Sequence, residues 1–125
     1  MSSGVILYIE DNAANRMLVQ RVLQMEGYTV LEAEDGPSGV QIARQSTPDL
    51  ILLDINLPEM DGYEVVPQLR EIPAIQGVPI IALTANVMRG DRERVLEAGC
   101  NGYIQKPIDV DELPQQVADF IEQSR

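Results

Sequence analysis

At 125 residues, 45% of them hydrophobic, the chain can bury one core, so it reads as a single globular domain over 1–125 and not as a disordered segment. Twenty acidic residues against nine basic ones give a net charge of -11, which argues against nucleic acid or an anionic membrane as the main partner. There is no histidine, which removes Ser-His-Asp and Cys-His catalysis, imidazole metal ligation and a phosphohistidine on this chain. Chemistry is left to carboxylates, hydroxyls, backbone amides and Lys106.

Cys100 is the only cysteine, so no internal disulfide is possible, which suits a reducing cytoplasm. The Met-Ser-Ser-Gly start lacks the basic and apolar regions of a signal peptide. No apolar run approaches the ~20 residues needed to span a bilayer.

In chain order, Val5 to Ile9 is an unbroken apolar run that ends on Glu10-Asp11. Ala14, Leu18, Val22 and Met25 then share one helical face, and Gly27 ends that helix. Tyr28 to Leu31 is a second strand, and Gly36-Pro37 opens a second helix with Val40 and Ala43 facing inward. Leu50 to Leu53 is four apolar residues that stop on Asp54, the pattern of a strand covered on both faces. Pro58 to Gly62 forces a loop. Asp61 and Glu64 have capping-box spacing for a third helix carrying Val65, Val66 and Leu69, which Pro67 should kink or shorten. Val78 to Leu83 is a fourth strand ending on Thr84, with Pro79 confined to its start. A weakly specified helix follows, with Gly90 near its start and Val95, Leu96 and Ala98 as its core face. Gly99 to Gly102 is a turn, and Tyr103-Ile104 begins a fifth strand ending near Lys106. The last helix, opened by Asp109 with Glu112, shows Leu113, Val117, Phe120 and Ile121 at helical spacing, with Pro114 in its first turn.

Five βα units in strict alternation imply a doubly wound parallel sheet with helices on both faces and right-handed crossovers. Glu10, Asp11, Asp54, Thr84 and Lys106 then all lie along the carboxyl edge of one sheet, where such folds hold their ligands. Two carboxylates about 4 Å apart at an effective dielectric near 20 repel by roughly 4 kcal/mol, equivalent to about three pKa units. A hard divalent cation relieves that repulsion, and Mg²⁺ characteristically binds one or two carboxylates plus waters and phosphate oxygens. Asp11 and Asp54 are therefore candidate direct ligands, with Glu10 direct or through water. Lys106 adds a point charge suited to a phosphate oxygen or to the Asp54 carboxylate, and Thr84 a hydroxyl. The set fits phosphoryl transfer, in which positioning and charge neutralisation do most of the work. Taken singly, each residue has a duller explanation: Asp11 or Asn12 as a helix cap, Thr84 as another, Lys106 as a surface lysine.

Ile9-Glu10-Asp11-Asn12, Leu53-Asp54-Ile55-Asn56-Leu57-Pro58-Glu59-Met60-Asp61-Gly62, Leu83-Thr84-Ala85 and Tyr103-Ile104-Gln105-Lys106-Pro107 occur in that order. Over nearly its whole length the chain resembles the receiver domain of two-component response regulators. That resemblance implies a flavodoxin-like strand order of 2-1-3-4-5. It implies Asp54 as phosphoacceptor, taking a phosphoryl group from a phosphohistidine on a sensor histidine kinase or histidine phosphotransfer protein. Mg²⁺ would be held by Asp11, Asp54 and the Asn56 carbonyl, with Glu10 assisting; Glu10 stands where many receivers have aspartate, and its extra methylene fits a water-mediated contact. Lys106 would pair with the phosphoryl group, and Lys106-Pro107 would be a cis peptide. Thr84 and the Ala85 N–H would hydrogen-bond the phosphoryl oxygens. Tyr103 would turn inward behind Thr84, switching the surface of the fourth helix, fifth strand and fifth helix for a downstream protein target. Asn56 and Asn86 would tune the phosphoryl lifetime. The Glu-Asp-Asn start, Met88-Arg89-Gly90-Asp91 and Gly99-Cys100 look closest to single-domain regulators and hybrid-kinase receivers.

Rival readings fare worse on the residues. Aspartate-nucleophile phosphohydrolases carry a general-acid aspartate two residues after the nucleophile, where this chain has Asn56. A flavin carrier of the same fold needs a Gly/Ser/Thr-rich phosphate loop after its first strand, and Glu10-Asp11 would repel that phosphate. A pure interaction module has no use for the intact acid, Asp, Thr and Lys set. The chain therefore reads as a signalling phosphoacceptor and not an enzyme acting on other molecules.

Overall fold

The computed structural model describes residues 4–57, 61–85 and 89–124. Pro58, Glu59, Met60, Asn86 and Met88 of the sequence reading lie outside the described residues. Five strands, β1 (Gly4–Ile9), β2 (Tyr28–Ala33), β3 (Leu50–Asp54), β4 (Ile80–Thr84) and β5 (Gly102–Gln105), form one parallel sheet in the order β2-β1-β3-β4-β5. They alternate with α1 (Ala13–Met25), α2 (Gly36–Ser46), α3 (Gly62–Arg70), α4 (Arg89–Glu97) and α5 (Leu113–Gln123). A 3-10 turn at Pro73–Ile75 leads into β4. The order and the five alternating units are those expected.

The two-residue period of a strand divides the apolar runs between two cores. Leu7, Ile9, Ile51, Leu53, Ile80 and Ala82 pack with α2, α3 and α4. Ile6, Tyr8, Leu50, Leu52, Ile81, Leu83 and Ile104 pack with α1 and α5. Every residue of β3 and β4 is buried, as continuous apolar runs require in a sheet covered on both sides.

Helix boundaries follow local chemistry. The Asn12 side chain accepts the Asn15 N–H at the start of α1, and Asp35 accepts the Ser38 N–H at the start of α2. Pro37 occupies the first turn of α2. Asp61 caps α3 by accepting the Tyr63 N–H at 2.9 Å. α3 continues through Pro67 to Arg70, a nine-residue helix whose Val65, Val66 and Leu69 are buried. Pro79 precedes β4, where its carbonyl accepts the Ile51 N–H.

Three expectations need correction. The buried face of α1 is Val19 and Leu23 with Val22 beside them, while Ala14 is exposed, Leu18 is 46% exposed and Met25 85%. Apolar residues crowd both sides of this helix, so the 3.6-residue period fits two phases and the docking surface chooses between them. On α4, Val95 is buried and Ala98 packs against the core, but Leu96 faces solvent. Asp109 does not open α5; its carboxylate accepts the Asp111 N–H and its carbonyl the Leu113 N–H, forming the turn that leads into the helix. Glu112 occupies the cap position without a side-chain hydrogen bond.

Candidate functional site

The strand order reverses direction of growth between β1 and β3, and the crevice at that switch point lies at the strands' carboxyl ends. Glu10 and Asp11 follow β1, and Asp54 is the last residue of β3. Each of these three carboxylates offers an oxygen within 4.8 Å of the others. Glu10 is 1% exposed and Asp54 2%, whereas Asp11 is open to solvent. Buried acids this close require positive charge or hydrogen bonds, and both are present.

Lys106, one residue beyond β5, places its Nζ 2.7 Å from Asp54 Oδ1. The Asn56 N–H donates to the same oxygen at 2.9 Å. Oδ1 is thereby supplied with two donors. Lys106 is itself held from the neighbouring strand: its N–H donates to the Thr84 carbonyl at 2.8 Å. The Lys106–Pro107 peptide is cis, as expected.

Glu10 is equally constrained. Tyr8 Oη and Asn15 Nδ2 each donate to Glu10 Oε1 at 3.1 Å, and Arg16 Nη1 donates to the Glu10 carbonyl at 2.6 Å. Tyr8, Asn15 and Arg16 were missed in the sequence. Tyr8 was hidden inside an apolar strand run, although its two-residue offset from Glu10 puts both on one face of β1. Asn15 and Arg16 sit on the first turns of α1, whose cap at Asn12 aims that end of the helix at the strand tip.

The electrostatics pull the two buried acids apart. Burial first, then the hydrogen bond and charge of Asp54, push the Glu10 carboxyl up to about 7. Burial would also raise Asp54, but hydrogen bonds from Glu10, Lys106 and the Asn56 N–H, with the Lys106 charge, hold it below the ordinary aspartate value. Of the two buried acids Glu10 therefore takes up a proton first on acidification, and Asp54 stays the anion to lower pH. Burial and the Glu10 charge push the Tyr8 hydroxyl far up, so it acts only as a neutral donor.

Thr84 ends β4 and is buried, and Ala85 joins Glu10, Asn15 and Lys106 in lining a cleft of about 400 Å³. Tyr103 is not part of this cluster. It pairs with Ala82 across the ladder and packs half-buried on the α2-α3-α4 core. By the strand period Thr84 shares Tyr103's face, whereas Asp54 and Lys106 follow the face of α1 and α5. The expected site residues therefore divide between the two sides of the sheet, with Thr84 and Ala85 at the junction.

A flavodoxin-like sheet whose switch point carries a carboxylate triad and a partly buried lysine defines an acidic site that could hold a metal ion on a doubly wound α/β domain. The chain belongs to the response regulator receiver domain family, whose model matches residues 6–118. It is similar to the polar-differentiation response regulator DivK of Brucella anthropi, 36% identical over 116 residues that span 93% of this chain and 94% of that protein. Among solved structures it resembles the receiver domain of sensor histidine kinase PA1611 from Pseudomonas aeruginosa, which has a magnesium ion coordinated in its active site cleft. That likeness is 39% identity and a TM-score of 0.86 over 97% of this chain and 99% of the other. Chemotaxis protein CheY4 of Vibrio cholerae superposes with a TM-score of 0.90 at 27% identity, covering 95% of this chain and 99% of its own. The protein is thus a receiver domain, a signalling phosphoacceptor and not a classical enzyme.

Proposed function

We propose that Asp54 is the residue that carries the phosphoryl group and that Mg²⁺ is the cation of the site. The single observation supporting this is the hydrogen-bond inventory of Asp54. Lys106 and the Asn56 N–H both donate to Oδ1, and the same carboxylate stands with Asp11 and Glu10 in a group whose ligand oxygens lie within 4.8 Å of one another. The donor set is all hard oxygen, with three carboxylates whose mutual repulsion a divalent ion relieves, so the residues present fit Mg²⁺. Asp11 and Asp54 would bind it directly, the Asn56 carbonyl would complete the protein's share, and Glu10 would act directly or through a water. When bound, the ion neutralises charge on the transferring phosphoryl oxygens.

The chain's own residues do the rest. Asp54 Oδ2 forms the new O–P bond as the P–N bond of a partner's phosphohistidine breaks, and the departing imidazole keeps the electron pair and takes up a proton. Lys106 turns from Asp54 to the incoming phosphoryl oxygens without leaving the cleft. Thr84 and the Ala85 N–H supply further donors, and Tyr103, on Thr84's side of the sheet, reads the movement of Thr84. The donor would be a sensor histidine kinase or histidine phosphotransfer protein and the recipient of the signal a downstream protein, in the cytoplasm, with residues 1–125 acting as one receiver. Hydrolysis of the phosphoryl group would be the domain's own, tuned by Asn56 and Asn86.

Incubation with acetyl phosphate and Mg²⁺, followed by intact-mass and peptide mapping, tests the assignment. One phosphoryl adduct on Asp54 is expected, absent with EDTA and absent in Asp54→Asn. An adduct persisting in Asp54→Asn refutes it.

A further inference from the structure

Glu10 Oε1 accepts two hydrogen bonds from side chains on different elements, Tyr8 on β1 and Asn15 on α1, each at 3.1 Å. A carboxylate oxygen has two lone-pair positions, so both of Oε1's are occupied by protein donors. Arg16 fixes the same residue from behind through its carbonyl, at 2.6 Å. Tyr8 is fully buried in the sheet and has no freedom to follow a moving carboxylate, whereas Asn15 is an exposed side chain on a capped helix end.

We infer that Tyr8 and Asn15 are positioning and specificity-determining residues of the cation site: by saturating Oε1 they restrict Glu10 to one-oxygen service through Oε2. This rests on the reading of the site as a Mg²⁺ site. The consequence is selectivity. Mg²⁺ demands near-ideal octahedral geometry and takes single oxygens and waters, whereas Ca²⁺ accepts more ligands and chelating carboxylates at longer distances. A glutamate that cannot offer both oxygens serves the smaller ion and denies the larger one its extra ligand. Partners of this kind around a ligand typically govern metal affinity by 10–100-fold.

The experiment is calorimetric titration of the full chain with Mg²⁺ and with Ca²⁺, for the unaltered protein, Tyr8→Phe, Asn15→Ala and the double variant, alongside thermal unfolding in EDTA. Asn15→Ala touches only an exposed side chain and keeps the test valid should Tyr8→Phe fold poorly. The expected result is a Mg²⁺ Kd raised about tenfold in each folded single variant. The ratio of Ca²⁺ to Mg²⁺ Kd should narrow further in the double variant, with metal-free Asn15→Ala still unfolding in one cooperative transition. A Mg²⁺ Kd within twofold of the unaltered protein in Asn15→Ala, or an unchanged Ca²⁺/Mg²⁺ ratio in the folded variants, overturns the inference while leaving the Mg²⁺ site standing. Failure of the unaltered protein to bind Mg²⁺ overturns the site itself.

Discussion

Lys106 Nζ lies 2.7 Å from Asp54 Oδ1 although the two residues are 52 apart in the chain. The Asp54 side chain is 3% exposed and that of Lys106 23%, so the pair is largely withdrawn from water. Removing one member of such a pair leaves the other charge without compensation. Lys106→Met should therefore lower stability by about 1–3 kcal/mol in EDTA, a loss that Mg²⁺ partly restores because the ion can neutralise Asp54 in its place. Calorimetry should show Mg²⁺ binding retained while phosphoryl uptake from acetyl phosphate falls at least tenfold. Equal loss of both would remove Lys106 from its assigned part in transfer.

The raised Glu10 carboxyl predicts a pH dependence in the metal-free protein. Its value moves from 4.5 to about 7 on folding, so between those pH values the native state holds a proton that the unfolded chain has released. Stability from this group is complete below 4.5 and is lost as pH rises through about 7, by at most about 3 kcal/mol. Asp54, shifted the other way, contributes stability above the ordinary aspartate range that is lost on acidification through its own lower value. Urea midpoints in EDTA should thus fall from pH 5 to pH 7.5, and saturating Mg²⁺ should flatten that fall. A midpoint that rises over the same interval without Mg²⁺ would contradict the raised Glu10 carboxyl.

Much of this site could be read in the sequence, because strand-end position is a one-dimensional property. Apolar runs that stop on Glu10, Asp54 and Thr84 mark where three strands surface, and strict βα alternation puts those tips on one edge. What could not be read was pairing through space. Nothing in the spacing of Tyr8, Asn15 and Glu10 says that one carboxylate oxygen takes both donors. The phase of α1 was equally hidden, since Met17, Leu18, Val19, Val22 and Leu23 offer apolar atoms to either side and only contact with β1 and β2 selects Val19 and Leu23. Asp109 misled for a related reason: an aspartate before a helix satisfies N–H groups equally well from the preceding turn.

Gly62 ties the loop carrying Asn56 to the strand end. Its N–H donates to the Ile55 carbonyl at 2.9 Å, and a Cβ placed there would stand 2.5 Å from Ile55 Cα and 2.9 Å from the Asp54 carbonyl oxygen. Those neighbours are backbone and cannot rotate aside. Gly62→Ala should cost about 1–3 kcal/mol, the scale of overpacking elsewhere. It should also weaken Mg²⁺ binding, because the displaced backbone is the one that carries Asp54 and Asn56. Denaturation with and without Mg²⁺ separates the two effects. A variant as stable as the unaltered protein would show that the loop has room the structure does not reveal.

Arg70 provides the contrast, a buttress remote from the carboxylates. Its guanidinium donates to the carbonyls of Gly99, Ile75 and Val78 at 2.9, 2.8 and 2.8 Å and to Asn101 Oδ1 at 2.7 Å, gathering the turn before β4 and the turn before β5 around the end of α3. Asn101 Oδ1 also accepts the Ile80 N–H, so the same network fixes the first residue of β4. Several carbonyls lose a charged donor together when Arg70 is removed, and Arg70→Ala should destabilise the domain by about 2–4 kcal/mol. Lysine should not rescue it, because a single ammonium cannot span carbonyls that a planar fork reaches from several nitrogens. Denaturant midpoints for Arg70→Ala and Arg70→Lys check this, and the folded fraction of both should still accept a phosphoryl group at Asp54. Loss of uptake in well-folded Arg70→Lys would mean that the network reaches the carboxylate edge through β4 and β5.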